Sequence, residues 1–392
     1  MLFNERVNTQ KLGLVRKFTD EANKLDHESK IFLSIGVPDL PMVNALSEGI
    51  NEAINKGFTK YTATQGIDFV RQSVADTYIN RKCTYPITKD NIIITAGSQE
   101  AIFLLMLSII GAGDEVIVIN PSFFSFKRCS LMMGGGVIEV GYKYNGESYS
   151  IPFEELENKI TDRCKMIYIN SPNNPTGIVT CKEEMIQLTD LARKYDITIL
   201  SDEVYKDYVY GEIFHSPIEY YDKVIIVDSI SKTFSATGLR IGWMVAHKEI
   251  IDKIIPMHQQ VVFSTMSIGQ YALYHALNHP TVNNEIQERI SIFKERHNYV
   301  VERLDKIAQI KIIPARGAFY IWCELDPVIG MNGVDFCYGL LYEKGVVTTP
   351  GIDFGNGLEN FFRIAYTQDI SKLKDGIDRL EEFIKTKRMH NN

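Results

Sequence analysis

Lys232 stands in the segment Ser229-Ile-Ser-Lys-Thr-Phe-Ser-Ala-Thr-Gly-Leu-Arg-Ile-Gly-Trp243, directly after the apolar run Val224–Asp228. An amine just past a buried strand is partly desolvated. Desolvation disfavours the ammonium form and leaves a nucleophile suited to an aldehyde. Ser229 and Ser231 add hydroxyls and Arg240 adds a planar, two-pronged cation, a donor set that suits a phosphate dianion. A second segment, Thr95-Ala-Gly-Ser-Gln-Glu-Ala101, closes an apolar run and opens a helical pattern. Free N–H groups at a helix start attract anions, Gly97 allows close backbone approach, and Ser98 offers a hydroxyl. Taken singly, these segments also read as a surface lysine and an ordinary helix cap.

Further polar clusters punctuate the chain in the same way. Asn170-Ser-Pro-Asn-Asn-Pro-Thr-Gly177 follows the run Met166–Asn170, where Asn-Pro and Thr-Gly by themselves mark turns. Ser201-Asp-Glu-Val-Tyr205 ends the run Ile197–Ser201; alone, its acidic pair is a helix cap or a solvated face. Pro121-Ser-Phe-Phe-Ser-Phe126 follows Val116–Asn120, and its rings fit a core as well as a ligand. Gly36-Val-Pro-Asp-Leu40, Tyr61 within Thr59-Lys-Tyr-Thr-Ala-Thr-Gln-Gly66, Gly317-Ala-Phe-Tyr320 and Asn360-Phe-Phe-Arg-Ile-Ala-Tyr366 complete the set.

In this order, from Gly36 to Arg363, the chain resembles the class I/II aminotransferases, a branch of the fold type I pyridoxal-phosphate enzymes. The resemblance implies that Lys232 carries pyridoxal 5′-phosphate as a Schiff base and, once freed by the amino donor, moves the substrate α-proton. Asp202 would face the pyridine nitrogen and keep it protonated. Asn174 and Tyr205 would hydrogen-bond the 3′-oxygen. Phe123 takes the stacking position where the family commonly has Trp or Tyr; it lacks their polar handle. Gly97, Ser98, Gln99, Ser229, Ser231 and Arg240 would hold the phosphate, and Tyr61 would reach the phosphate of a neighbouring subunit. Gly36 and Asn174 would lie by the substrate, and Arg363 would clamp its α-carboxylate in bidentate fashion. Glu203 is left as structural. The implied reaction moves an amino group between an L-amino acid and a 2-oxo acid in a homodimer with shared active sites. A pyridoxal-phosphate C–S lyase of the cystathionine β-lyase type, or an aminocyclopropane-carboxylate-synthase-like enzyme, shares the lysine, the aspartate and the phosphate site and stands as the alternative.

The elements that must position these residues are legible as well. The chain's 392 residues exceed one ordinary core. Ile92–Thr95, Val116–Asn120, Met166–Asn170, Ile197–Ser201 and Val224–Asp228 are apolar throughout, as in strands covered on both faces. Between them Leu188, Leu191, Ala192 and Tyr195 fall at helical spacing. This alternation predicts an α/β fold: a mostly parallel sheet flanked by helices, with ligands at the carboxyl ends of its strands. After about residue 280 the character changes to two striped helices, one through Ile286, Ile290, Phe293, Val300 and Leu304, the other through Ile370, Leu373, Ile377, Leu380 and Ile384. The expected division is a large cofactor-binding domain at 46–280 and a smaller α+β domain made of 1–45 plus 281–392.

Composition narrows the classes. A net charge of −7 makes a nucleic-acid partner a poor fit, and no basic helical module precedes the cofactor domain as in an aminotransferase-like transcription regulator. The clusters at Gly111–Gly113 and Gly134–Gly136 lack the third glycine of the nicotinamide fingerprint. Cys83, Cys129, Cys164, Cys181, Cys323 and Cys337 form no C-x-x-C pair and no histidine cluster, so they read as reduced core thiols and no metal is expected. The amino terminus has no apolar signal region, and the run Ala101–Ile110 is too short to span a bilayer. The expectation is a cytoplasmic protein with no membrane partner.

Overall fold

The computed structural model describes residues 6, 10, 12–25, 30–144 and 149–390. Each of the five apolar runs predicted as strands falls in a strand of one seven-stranded sheet, the run Ile197–Ser201 starting one residue before its strand. The strands are Ile92–Thr95, Glu115–Asn120, Gly136–Gly141, Cys164–Asn170, Thr198–Asp202, Val224–Ser229 and Gly242–Val245. From the edge at Ile92–Thr95 the spatial order is Ile92–Thr95, Gly242–Val245, Val224–Ser229, Thr198–Asp202, Cys164–Asn170, Glu115–Asn120 and Gly136–Gly141. Pairing is parallel except at Gly242–Val245, which runs antiparallel to both neighbours.

Successive side chains of a strand point to opposite faces, and here both faces are apolar. Ile92, Ile94, Ile117, Ile119, Ile167, Ile169 and Ile226 belong to one buried cluster, Ile93, Val116, Val118, Tyr168, Leu200 and Val227 to another. The first is covered by helices Asp68–Asp76, Lys182–Lys194 and Ser267–Leu277, the second by Ser98–Ile109, Ser125–Met132 and Lys248–Val261. Each fully buried Val, Leu or Ile stabilises by ~1.5–3 kcal/mol relative to exposure. This two-sided burial explains why the strands are continuous apolar runs rather than alternating ones.

A third core joins the long helices Val282–Leu304 and Ile370–His390 to the antiparallel sheet of Ile310–Ile312, Tyr320–Leu325, Phe361–Ala365 and Thr349–Pro350. Phe18 and Ala22 of helix Leu14–Lys24 pack into it, and Ile31–Phe32 pairs in parallel with Val346–Val347.

Several sequence expectations need correction. Gly136–Gly141 and Gly242–Val245 are strands beyond those the apolar runs predict: the first is a half-exposed edge with glycine at each end, the second only four residues long. Tyr195 lies just past helix Lys182–Lys194 and is 40% exposed, its hydroxyl turned outward to donate to Glu157 at 2.8 Å. Ile286 and Ile290 are half-buried, while Phe293, Val300 and Leu304 are fully buried. All six cysteines are free, yet only Cys129, Cys164, Cys323 and Cys337 are core thiols; Cys181 is exposed. Among the described residues no helix is long and apolar enough to cross a membrane.

Candidate active site

Gly242 pairs with both Thr95 and Ser229. The turn at Gly97 and the loop bearing Lys232 therefore leave the sheet side by side. Together with the carboxyl ends of Cys164–Asn170 and Thr198–Asp202 they form one end of a cavity of about 670 Å³. Gly36, Ser98, Gln99, Phe123, Asn174, Asp202, Tyr205, Ser229, Ser231, Lys232, Arg240 and Arg363 all line it. Gly97 lies behind Arg240. Tyr61 is not brought to this cavity: it is 83% exposed, edge-on to Phe263 at 4.9 Å between ring centres.

Lys232 Nζ donates to the carbonyl of Gly36 at 2.8 Å. Burial and the Arg363 cation pull its pKa down to about 8, with Asp202 acting in the opposite sense and Arg240 adding to the depression. An amine in that range is neutral often enough to attack or to take up a proton at ordinary pH.

Asp202 is buried at the end of its strand and accepts the Tyr168 hydroxyl at 3.0 Å and the Val204 N–H at 3.3 Å. Burial pushes its carboxyl up to about 7 despite those hydrogen bonds. A cationic ligand group facing it would restore the anion. The folded carboxyl holds its proton to higher pH than the unfolded one, so between about pH 4 and pH 7 the native state binds more protons. This group's contribution to stability then falls as pH rises through that window. In the ligand-free chain, Asp202→Asn should reduce the loss of unfolding free energy between about pH 5 and about pH 8 by ~2 kcal/mol, within the scale of 1.36 kcal/mol per pKa unit. Urea unfolding at the two pH values measures it, and parallel pH dependences in variant and wild type would refute it.

Arg363 is buried in strand Phe361–Ala365. Nη1 donates to Asn174 Oδ1 at 2.7 Å, and Nη2 donates to the Ser34 carbonyl and, at 3.4 Å, to Thr349 Oγ1. Nε has no partner, and the guanidinium lies 4.3 Å from the Tyr320 ring centre. Among the described residues no carboxylate forms an ion pair with it. A buried cation without a counterion is costly unless a ligand anion completes it.

The opposite end of the cavity is shaped for an anion too. Gly97 caps helix Ser98–Ile109 with φ +81°, a conformation that glycine adopts without strain. A Cβ there would run into Arg240 Nη2. Arg240 Nη1 is steadied by the Thr237 carbonyl at 2.9 Å. Gln99 turns its Oε1 to the Ser125 hydroxyl at 2.6 Å. Phe123 packs against Phe124 at 4.5 Å.

Other contacts were not visible in the sequence. Tyr205 and Tyr320 share a hydrogen bond of 2.7 Å between their hydroxyls. Asn170 accepts the Asn174 N–H at 2.7 Å and donates to the Asp202 carbonyl at 2.9 Å, tying two strand ends together. The signal for Asn170 was there, because the last residues of adjacent parallel strands pair, Asn170 with Asp202. Ser34 and Thr349 had none. Glu203 is held by Arg81 at 3.1 Å and by Ser201 and Ser216, a structural setting.

Residues 28–380 match the model of the family described as aminotransferase class I and II. The chain belongs to that family and is an aminotransferase, with the fold of the type I pyridoxal-phosphate enzymes. It is 34% identical to the aspartate aminotransferase of Sulfolobus acidocaldarius over 94% of each chain. It is 30% identical to aromatic-amino-acid aminotransferase 2 of Thermococcus litoralis over 99% of this chain and 100% of that one. Among solved structures, the aspartate aminotransferase of Thermus thermophilus with maleate superposes with a TM-score of 0.92 at 29% identity, covering 98% of this chain and 100% of that one.

Proposed function

We propose that this aminotransferase binds pyridoxal 5′-phosphate in the cavity described above and exchanges amino groups between L-amino acids and 2-oxo acids. The observation that carries the reading is the opposition, within one cavity, of the depressed Lys232 amine and the buried Asp202 carboxyl. The residues present fit the cofactor, since Gly97 lets the Arg240 guanidinium close on the start of helix Ser98–Ile109, where any Cβ would collide with it. When bound, pyridoxal phosphate supplies an aldehyde for an amine and a protonated ring that accepts the charge left by a departing α-proton.

The chain's own residues divide the remaining work. Lys232 holds the cofactor and moves the proton at the substrate α-carbon. Asp202, as the anion, faces the ring nitrogen. Asn174 spends its Oδ1 on Arg363, which leaves its amide N–H groups for the 3′-oxygen, alongside the Tyr205 hydroxyl. Phe123 stacks on the ring. Gly97, Ser98, Gln99, Ser229, Ser231 and Arg240 hold the phosphate, and Arg363 takes the α-carboxylate beside Gly36. By fixing the substrate through its α-carboxylate, Arg363 would hold the α-carbon within reach of Lys232, positioning worth several kcal/mol in general, ~7 or more in the best oriented systems.

The partner is a second copy of this chain. Ile54, Tyr61, Val261, Phe263 and Met266 expose apolar surface of the kind that marks an interface, and Tyr61 would cross it to the other subunit's phosphate. The large domain spans 46–280, the small one 1–45 plus 281–392, and the enzyme works in the cytoplasm. A donor panel with the purified holoenzyme and 2-oxoglutarate tests the reading. Each amino group lost by the donor should appear on the 2-oxo acid, and sedimentation should give twice the chain mass of 44.7 kDa. Steady release of ammonia or sulfide with no 2-oxo acid added as acceptor would point to a lyase instead, and an active monomer would remove Tyr61 from the site.

A further inference from the structure

The fold buries an ionisable pair that the proposed reaction does not use. Glu100 stands in the first turn of helix Ser98–Ile109, and His258 on helix Lys248–Val261, in the layer that covers one face of the large sheet. His258 is fully buried and Glu100 is 9% exposed. Nε2 of His258 lies 3.4 Å from Oε1 of Glu100. Neither that oxygen nor either ring nitrogen has a hydrogen-bond partner among the described residues. An unpaired acid and an unpaired imidazole in an interior are each costly, and a proton held between the two offsets both penalties.

The other oxygen of Glu100 shows what the pair touches. Oε2 accepts the Ala96 N–H. A capping carboxylate at this helix position ordinarily reaches back to the cap residue, here Gly97. Glu100 reaches one residue further, into the turn that precedes the helix. That turn is pinned at three more points. Thr95 Oγ1 donates to the Gly97 carbonyl at 2.9 Å, the Gly97 N–H to the Thr95 carbonyl at 2.8 Å, and Arg240 Nη2 to the Ala96 carbonyl at 3.4 Å. Ser98 and Gln99, next along the chain, line the cavity, and N–H groups that open a helix have no acceptor within it. Neither Glu100 nor His258 is among the cavity's described lining residues, so the pair reaches a ligand only through the turn.

We infer that Glu100 and His258 are a positioning pair for the phosphate of pyridoxal 5′-phosphate. His258 holds the Glu100 carboxylate, the carboxylate holds Ala96, and Ala96 sets the turn that offers Ser98 and Gln99 to the phosphate. The inference rests on the functional reading above. It makes the phosphate end of the site depend on a side chain of helix Lys248–Val261 that does not touch the cavity.

Cofactor affinity with and without the phosphate tests it. Pyridoxal carries the aldehyde and ring of pyridoxal 5′-phosphate but no phosphate. Both are titrated into the protein freed of cofactor, and the ratio of their dissociation constants isolates the phosphate end. Glu100→Ala should lower the preference for the phosphorylated form by ~10-fold or more, the scale of one hydrogen bond to a charged group, and leave the affinity for pyridoxal close to that of wild type. Glu100→Gln keeps an acceptor for Ala96 and a polar end for His258, so it should recover most of the preference. His258→Leu should lower it by ~3-fold or more in the wild-type background. Added to Glu100→Ala it should change almost nothing, because it acts through that carboxylate. Should Glu100→Ala not fold, Glu100→Asp, too short to reach both partners, carries the same test. An equal loss for pyridoxal and its phosphate overturns the inference, and so does a full effect of His258→Leu where Glu100 is absent. If wild type prefers the phosphorylated form and Glu100→Ala retains that preference, this inference alone fails. If wild type takes up neither compound, the functional reading fails and takes the inference with it.

Discussion

Lys232→Ala is expected to lower turnover by at least ~10³-fold, the upper part of the range for loss of a positioned general base, and to end covalent retention of the cofactor. The contrast with Lys206 shows why. Both lysines are half-buried beside the same sheet. Burial pulls Lys206 down too, but Asp207 and Asp228 outweigh it and hold its pKa above the ordinary lysine value. Lys206 is locked as an ammonium against those two carboxylates. Lys232 has a carbonyl as its partner and cations as its neighbours, so it is the amine that can lose its proton near neutrality. Borohydride treatment of the wild-type holoenzyme followed by peptide mass mapping should fix the cofactor on the peptide containing Lys232, and on no peptide of the variant. Addition of a small primary amine should restore part of the lost rate. Retention of both rate and label in the variant would remove Lys232 from its role.

What was legible in the sequence follows from which contacts are local. Ser229, Ser231 and Lys232 sit within four residues of one another at a strand end, and the apolar run before them announces that strand. The same holds for Gly97 and Ser98 and for Asp202 and Tyr205. Each group needs only one strand terminus to be placed, and a continuous apolar run that stops at polar residues makes such a terminus readable. Contacts across the fold were not readable. Arg363 meets Asn174 across 189 residues and Arg128 meets Asp353 across 225, and no local spacing encodes either. The antiparallel strand Gly242–Val245 was missed for a related reason. It is short and opens with glycine, and only its pairing with Thr95 and Ser229 makes it a strand. That pairing is nevertheless what brings the Gly97 turn beside the Lys232 loop. Tyr61 marks a further limit, because its proposed role needs a surface that a single chain does not contain.

Arg363→Ala should lower kcat/KM for amino-acid donors by two or more decades, mainly through KM, on the ~3–5 kcal/mol scale for removing one partner of a buried charge pair. The substitution also strips the donor from Asn174 Oδ1 and from the Ser34 carbonyl, so part of the loss is disorder in the wall. Arg363→Lys separates the two effects. It keeps the charge and loses the planar fork, so it should recover some affinity while staying well below wild type. A second readout is independent of substrate. Arg363 is among the groups that depress the Lys232 amine, so its removal should raise the Lys232 pKa and shift the alkaline-side titration of the amine to higher pH. In Arg363→Lys, where a cation remains, the shift should be smaller. A residue that merely filled space in the strand would change KM and leave the amine's titration where it was. An Arg363→Ala enzyme with an unaltered KM and an unaltered Lys232 titration would therefore place the α-carboxylate elsewhere, and with it the geometry that selects the α-C–H bond for cleavage.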